Sequence, residues 1–313
     1  MFARARKALT PPIPPPDLRR LPIHERPIAV DPQAASPLYN GFIPPEIRNA
    51  LFAAILAEYT PADPALAYPV SFHRPGYTGP RTINVAFLLT CRRIYLETYH
   101  LPPQLASHVF WHAPATGPPG LGARFPDIHG IALETHYFAR LAPWQLSLVK
   151  EVRLFTQMFW LDQSFPGLCT SGVLPAAVER LKITLRRGDW WWCERNYPFM
   201  INPHRGGFLA EYNQDVVREE RGEAIPWVEG AWGAALQRLP ALKELEMEFE
   251  TSKSRREELK KIVVRALRWR FPMGERGLLT NNGLGMEFSE WKNEEDTESS
   301  CVFTVKWKLA GNK

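Results

Sequence analysis

Three histidines, at positions 100, 108 and 112, come closest in this sequence to a metal-binding pattern. On a helix, His108 and His112 would lie one turn apart on the same face, which is a common arrangement for two zinc ligands. Zinc normally takes three or four protein ligands, and neither an HExxH motif nor a nearby cysteine pair completes the set. We therefore interpret them as surface or partly buried histidines, and the sequence predicts neither a metal site nor a cofactor.

Motifs for nucleophilic catalysis and for phosphate binding are missing from the sequence. Ser164, Ser171 and Ser289 have no GxSxG signature around them. The glycine-rich segment 117–122 contains prolines, which lack the backbone N–H donors that a phosphate loop needs. In the turn-rich loop 202–207, Arg205 is a weak candidate for binding an anion. The sequence predicts a protein that is not an enzyme; an enzyme of unrecognised type, built around a deep pocket with convergent polar groups, is an alternative.

Basic residues cluster in segment 253–270, KSRREELKKIVVRALRWR. Clustered Lys and Arg neutralise phosphates, and an aromatic residue such as Trp269 can stack on bases, so nucleic-acid association is an alternative function. Glu257 and Glu258 interrupt the basic face, and amphipathic helices often carry Lys and Arg on their solvated side, which we favour here. The anion-binding candidates are Arg255, Arg256, Lys260 and Lys261.

Three consecutive tryptophans, Trp190, Trp191 and Trp192, form the most aromatic stretch of the chain. Successive residues of a strand point to opposite sides, so all three cannot enter one core layer. At least one should lie at a rim, an interdomain seam or a partner surface, where Trp is enriched. With Phe159 and Trp160 they form a candidate recognition patch, and a seam between two parts of the chain is the alternative.

The composition is that of a globular protein that buries a sizeable core. The chain has 313 residues, of which 45% are hydrophobic and 23% charged, and its net charge is +5. The four cysteines are widely spaced, which argues against a disulfide-stapled secreted domain. No segment approaches the ~20 apolar residues of a membrane span, and the amino terminus lacks the apolar core of a secretory signal. These features predict a location in the cytoplasm or nucleus.

The first part of the chain contains a proline-rich segment and two helices. Residues 1–40 are rich in proline and predicted to be a disordered leader. Apolar residues at helical spacing predict one helix over 45–59 and a second over about 82–100, with a strand or short helix at 105–111. We assign 41–112 to a helical module and the Gly/Pro-rich segment 113–127 to a linker.

The rest of the chain, residues 128–313, is predicted to be an α/β sheet domain. Short alternating runs at 152–156, 181–185 and 245–249 predict strands in a parallel or mixed sheet, separated by helical or loop segments. A helix over 253–270 and two strands at 278–288 and 301–309 follow, around an acidic loop. The fold class is α+β (mixed α/β), with irregular leucine-rich-like strand repeats.

Two segments of the helical module carry a resemblance: FIPPEIR at 42–48 and LLTCRRIYLE at 88–97. Together they resemble the LPxEIR and LLxTCRxIYxE pattern of F-box-like proteins of filamentous fungi. The resemblance covers residues 42–112 well and 150–200 more loosely. The chain departs from the pattern at Ile43, which replaces the usual first leucine, and in the loop of about 20 residues that separates its helices.

The resemblance implies a protein-interaction role. An F-box binds the Skp-type adaptor of a cullin-type ubiquitin ligase through apolar helix faces, and the carboxy-terminal domain binds the substrate. The adaptor contacts would come from Phe42, Ile43, Pro44, Ile47, Phe52 and Ile55. The leading hypothesis is therefore a substrate receptor with protein partners; packing of these helices within their own chain is the alternative, and membrane partners are not expected.

Overall fold

The structure is a computed structural model that describes residues 23–26, 29–112, 132–195, 197–206, 209–293 and 296–310. The described chain divides into two compact units. One comprises the described part of residues 1–55 together with 85–99, and the other comprises 56–84 and the described part of 100–313. The predicted division at residue 112 differs from this one, because residues 56–84 and 100–112 cluster with the sheet.

The first unit contains two α-helices, α1 (Pro45–Ile55) and α2 (Arg92–Thr98). Helix α1 begins at a proline, and Glu46 lies in its first turn. A negative charge at this position interacts favourably with the positive end of the helix dipole. The predicted helix over 82–100 is wrong in its first half, where a 3-10 helix spans Val85–Leu89. Cys91 is extended, and its Sγ accepts a hydrogen bond from the Ile94 N–H, so a new helix starts after it.

The second unit is built on one eight-stranded sheet in the described part of the chain. The strand order is β1-β2-β3-β4-β8-β6-β5, and β7 also pairs with β8. The strands are β1 (His108–His112), β2 (Glu151–Thr156), β3 (Arg180–Leu185), β4 (Glu244–Ser252), β5 (Arg270–Pro272), β6 (Leu278–Thr280), β7 (Met286–Trp291) and β8 (Ser300–Ala310). Strands β1 to β4 are parallel, and the remaining pairs are antiparallel.

The first helix of the second unit precedes β1, and the others come between its strands. They are α3 (Leu101–Leu105), α4 (Ala132–Phe138), α5 (Pro143–Leu146), α6 (Met158–Gln163), α7 (Phe165–Thr170), α8 (Leu209–Glu220), α9 (Trp232–Ala235) and α10 (Arg256–Ala266). Helix α10 packs against β4 and β8 and buries Leu259, Ile262 and Val263. The basic segment predicted to be helical to residue 270 instead enters β5 at Arg270.

The predicted mixed sheet is confirmed, and its alternating sequences explain its two faces. In β4, Leu245, Met247 and Phe249 are fully buried on the face that forms the main core. Glu246 and Glu248 alternate with them, so they lie on the opposite face. We call that opposite face the charged face; its members include Arg153, Lys182, Glu246, Glu248 and Lys306. The strand predicted over 278–288 divides into β6 and β7, because Asn282, Gly283 and Gly285 turn the chain with positive φ.

Candidate functional site

The predicted docking stripe lies on and just before α1, in the first unit. Ile47, Leu51 and Ile55 recur every four residues and are all exposed, so they form one apolar helix face. Phe42 precedes them and is 81% exposed, whereas Phe52 is 1% exposed and contacts the Phe87 ring at 5.3 Å. Of the six predicted contact residues, Phe42, Pro44, Ile47 and Ile55 are exposed, Ile43 is half-buried and Phe52 is a core residue.

The two sequence segments that carry the family resemblance meet in this unit. Arg48 of the first segment forms an ion pair with Glu97 of the second, with 3.2 Å between Nε and Oε2. Arg93 also pairs with Glu97, and both guanidinium groups lie over the Tyr39 ring. Burial, together with the nearby Glu97 carboxylate, raises the pKa of Tyr39. The paired motifs thus hold α1 against α2 through charge and an aromatic ring.

The charged face of the sheet carries a second candidate site, which the sequence did not predict. In this site Trp111 of β1 stacks on Phe155 of β2, with 3.8 Å between ring centroids and 11° between planes. Next to this pair, β4 contributes Glu248 and Glu250, and β3 contributes Thr184. These residues come from the carboxyl ends of neighbouring parallel strands, where open α/β sheets commonly bind ligands.

A long connection covers this site; we call residues 56–84 the strap. Its described part contains 3-10 helices at Pro64–Leu66 and Val70–Phe72 but neither an α-helix nor a strand. Arg74 and Tyr77 bond to each other through their backbones in both directions, forming a tight turn in which Gly76 has a φ of +78°. The turn places Arg74 and Tyr77 on the sheet. The Tyr77 ring contacts the Phe155 ring edge-on, with 5.2 Å between the ring centroids.

Arg74 is the centre of the site. Its Nη2 lies 3.1 Å from Oε2 of Glu248, and its Nη1 lies 3.3 Å from Oε2 of Glu250. The guanidinium also lies over the Phe155 ring, 5.0 Å from its centroid. Oε2 of Glu248 has two further partners. Nη2 of Arg153 lies 2.5 Å from it, and the Thr184 hydroxyl donates a hydrogen bond to it at 2.9 Å.

Burial and charge act in opposite directions on the ionisable groups here. Burial opposes ionisation of Glu248, but Arg153, Arg74 and Lys182 together outweigh it and hold the pKa of its carboxyl at about 2. For Glu250, burial outweighs the attraction of Arg74, and its pKa is raised. Burial also lowers the pKa of Arg74, which both glutamates only partly offset. The site therefore holds charges that have lost much of their hydration.

The structure divides the predicted aromatic patch between core and surface. Trp190 and Trp160 are buried, and the Trp190 indole N–H donates to the backbone oxygen of Glu250 at 2.9 Å. Phe159 and Trp192 are exposed, while Trp191 is half-buried and contacts both. The three tryptophans lie in a turn after a 3-10 helix and not in a strand, and Trp192 has a φ of +47°.

Two of the four predicted anion-binding residues are engaged in ion pairs, and the other two lie beside acidic side chains. Arg255 pairs with Glu258 at 2.8 Å, and Arg256 lies 3.8 Å from Glu257 and over the Phe288 ring. Lys260 and Lys261 line a surface groove whose wall also carries Glu257 and two acids of α8, Glu219 and Glu220. Arg205 likewise pairs with the buried Asp215 at 2.9 Å. The acids next to these cations weaken the positive field that a phosphate backbone would meet.

The histidines are not arranged as the sequence suggested. His108 and His112 lie on β1 and not on a helix, four residues apart on the same strand face. His112 contacts Glu134 at 2.5 Å and stacks on Trp160, while His108 bonds to Tyr137. Within the described residues, no cluster of three or more potential metal ligands is found. The four cysteines carry free thiols.

Comparison with known proteins adds no relative: no protein-family model, no curated protein and no solved structure matches the chain. Among the described residues, none of the helices combines the length and the apolar character needed to cross a bilayer.

Proposed function

We propose that this chain is a protein-interaction protein that docks a partner through the exposed face of α1. The observation that supports the proposal is the exposure of Phe42, Ile47, Leu51 and Ile55, while Phe52 on the same helix is buried. Large apolar side chains that stay exposed in a contiguous row are typical of protein-interaction sites. An apolar row at a spacing of four residues is also a common way for a helix to dock on a partner.

We propose a Skp-type adaptor of a cullin-type ubiquitin ligase as this partner, which makes the chain a substrate receptor. The proposal rests on the resemblance of segments 42–48 and 88–97 to fungal F-box-like proteins. The ion pair between Arg48 and Glu97 supports it, because it joins the two segments in one compact unit. Association with nucleic acid has less support, because Arg255 is engaged with Glu258 and Arg265 with Glu219.

The test is a binding titration of the purified chain with a purified fungal Skp-type adaptor. We expect measurable affinity for the natural chain and a loss of about 100-fold or more for the double variant Ile47→Ser, Ile55→Ser, since central apolar anchors dominate interfaces. A matched control is Leu284→Ser, which removes a similarly exposed apolar side chain outside α1 and should leave the affinity unchanged.

Two outcomes would contradict the proposal, at different levels. Absence of binding by the natural chain removes the ligase assignment. Equal affinity of the double variant and the natural chain removes the α1 face as the docking surface.

A further inference from the structure

The strap is anchored to the second unit by few side chains. Among the strap residues whose side chains are described, only Leu56 at its start and Arg74, Tyr77 and Gly79 are buried. Connections longer than ~12–15 residues without regular structure are uncommon in compact domains, and many of those that occur are linkers or cover binding sites. Beyond Leu56, a buried aromatic ring and a buried guanidinium are thus the large side chains that attach this segment to the sheet, together with two hydrogen bonds from Asn293 to its backbone.

The surface under Arg74 is shaped for a guanidinium group. Two carboxylates, of Glu248 and Glu250, lie beside its nitrogens, and the guanidinium carbon lies over the Phe155 ring. A planar guanidinium uses all three contacts at once, whereas the compact ammonium of lysine does not. Glu248 is also held in position by Arg153, Thr184 and Lys182, so this acceptor does not depend on Arg74.

The fit of Arg74 is incomplete. Oε2 of Glu250 and Nη1 of Arg74 are both buried and neither makes a hydrogen bond, although the two atoms form an ion pair. Glu250 is 5% exposed and its carboxyl points at the guanidinium. Buried ion pairs contribute little net stability when their hydrogen bonds are incomplete, because desolvation offsets the attraction. A guanidinium better aligned with Glu250 would gain a charge-assisted hydrogen bond that Arg74 does not make.

We propose that the charged face holds an arginine-recognition site for a partner polypeptide, and that Arg74 occupies it in the absence of that partner. The ligand class is an arginine side chain presented by an exposed peptide segment. The strap competes with the partner, so the apparent affinity is reduced by the fraction of molecules in which Arg74 is seated. The proposal does not depend on docking through α1.

The experiment compares the full-length chain with Arg74→Ala, using the probe peptide acetyl-Arg-Pro-Gly-Tyr-amide, which copies the strap turn. We expect the peptide to bind Arg74→Ala at least about tenfold more tightly than the natural chain, and to raise the unfolding midpoint of that variant by about 2 °C or more. The same peptide with lysine in place of arginine should produce neither effect. Isothermal titration and thermal unfolding measure the two quantities.

A matched control is Arg180→Ala, which removes an arginine that pairs with Glu151 at the amino end of β3, the end of the strand opposite the site. It should leave peptide affinity at the level of the natural chain. Adding Glu250→Gln to Arg74→Ala should abolish the gain in peptide affinity.

If Arg74→Ala is insoluble, Arg74→Lys serves the same test, because an ammonium does not bridge both carboxylates while contacting the ring. A folded Arg74 variant that binds the arginine peptide no better than the natural chain, or no better than the lysine peptide, would overturn the proposal. The contacts of Arg74 would then serve only to attach the strap.

Discussion

At the scale of single residues, two glutamates of one strand show how surroundings set charge. Glu248 and Glu250 lie on the same face of β4, and both are largely buried. Glu248 has Arg153, Arg74 and Lys182 around it, and its pKa falls to about 2. Glu250 has Arg74 as its principal cation, which is too little to offset its burial, and its pKa rises. The balance between burial and the surrounding charges therefore decides the direction of each pKa shift.

This difference predicts a pH dependence of stability. The pKa of Glu248 is lowered from 4.5 to about 2 on folding, so its contribution is present above about pH 4.5 and is lost as the pH falls toward 2. The shift corresponds to roughly 3 kcal/mol. We expect Glu248→Gln to flatten the fall in the free energy of unfolding between pH 4.5 and 2, measured by urea denaturation at several pH values.

Glu250 provides the internal control, because its raised pKa acts with the opposite sign and above pH 4.5, where protonation of its carboxyl on acidification favours the folded state. Glu250→Gln should relieve a buried charge, and it should not flatten the fall in the free energy of unfolding between pH 4.5 and 2. If the free energy of unfolding of Glu248→Gln falls between pH 4.5 and 2 as steeply as that of the natural chain, Arg153, Arg74 and Lys182 do not have the role given to them.

The tryptophans separate core from surface at the same scale. Trp190 is 3% exposed and its indole donates to Glu250, so Trp190→Ala should cost about 3–5 kcal/mol of stability. Trp192 is 43% exposed with a positive φ, so Trp192→Gly should change stability by only about 1 kcal/mol or less. Denaturant titration of the two variants measures both; similar losses would mean that the exposed ring is also a core element.

At the scale of elements, α1 has one face for its own unit and another for solvent. Phe52→Ala should destabilise the first unit by about 3–5 kcal/mol, because a buried ring is lost. Ile47 is 55% exposed, and Ile47→Ser should cost less than about 0.5 kcal/mol. Circular dichroism during urea titration measures both changes. A large loss in Ile47→Ser would show that the exposed face is needed for folding and would weaken its assignment to docking.

The elements with strict periodicity were predictable from the sequence, and the strap was not. Alternation along β4 is imposed by burial of Leu245 and Met247, so local sequence reports it directly. The break before α2 was missed because it depends on the extended backbone of Cys91, which apolar spacing does not reveal. The site around Arg74 joins residues 174 positions apart, Arg74 and Glu248, through a segment without periodicity. A single sequence contains no local signal for such a contact.

At the scale of the whole molecule, β8 holds the second unit together. It pairs with β4 on one side and with β6 and β7 on the other, which makes it the junction of the parallel and antiparallel halves of the sheet. Thr304 is paired with Glu248 on one neighbour and with Glu287 on the other. A break in β8 at Thr304 would therefore disrupt its hydrogen bonding to both neighbours, at the junction of the parallel and antiparallel halves of the sheet.

We therefore expect Thr304→Pro to abolish cooperative unfolding of the second unit, since proline removes a backbone donor and is not tolerated in central strands. Thr304→Val keeps the backbone donor and the β-branched shape and should change stability by about 1 kcal/mol or less. Calorimetry measures both transitions. A cooperative transition of normal enthalpy in Thr304→Pro would show that the two halves fold without this junction.

The position of β8 also has a consequence during translation. Strand β4 ends at Ser252 and its partner β8 begins at Ser300, 48 residues later (300 − 252). At a synthesis rate of ~5–20 residues per second, the 48 residues take roughly 2–10 s to be made. During this time strands β1 to β4 have been synthesised, and the edge of β4 that later pairs with β8 has no partner. An uncovered strand of this kind pairs readily with other chains. Newly made chains on one message can therefore pair with one another through β4 during this interval.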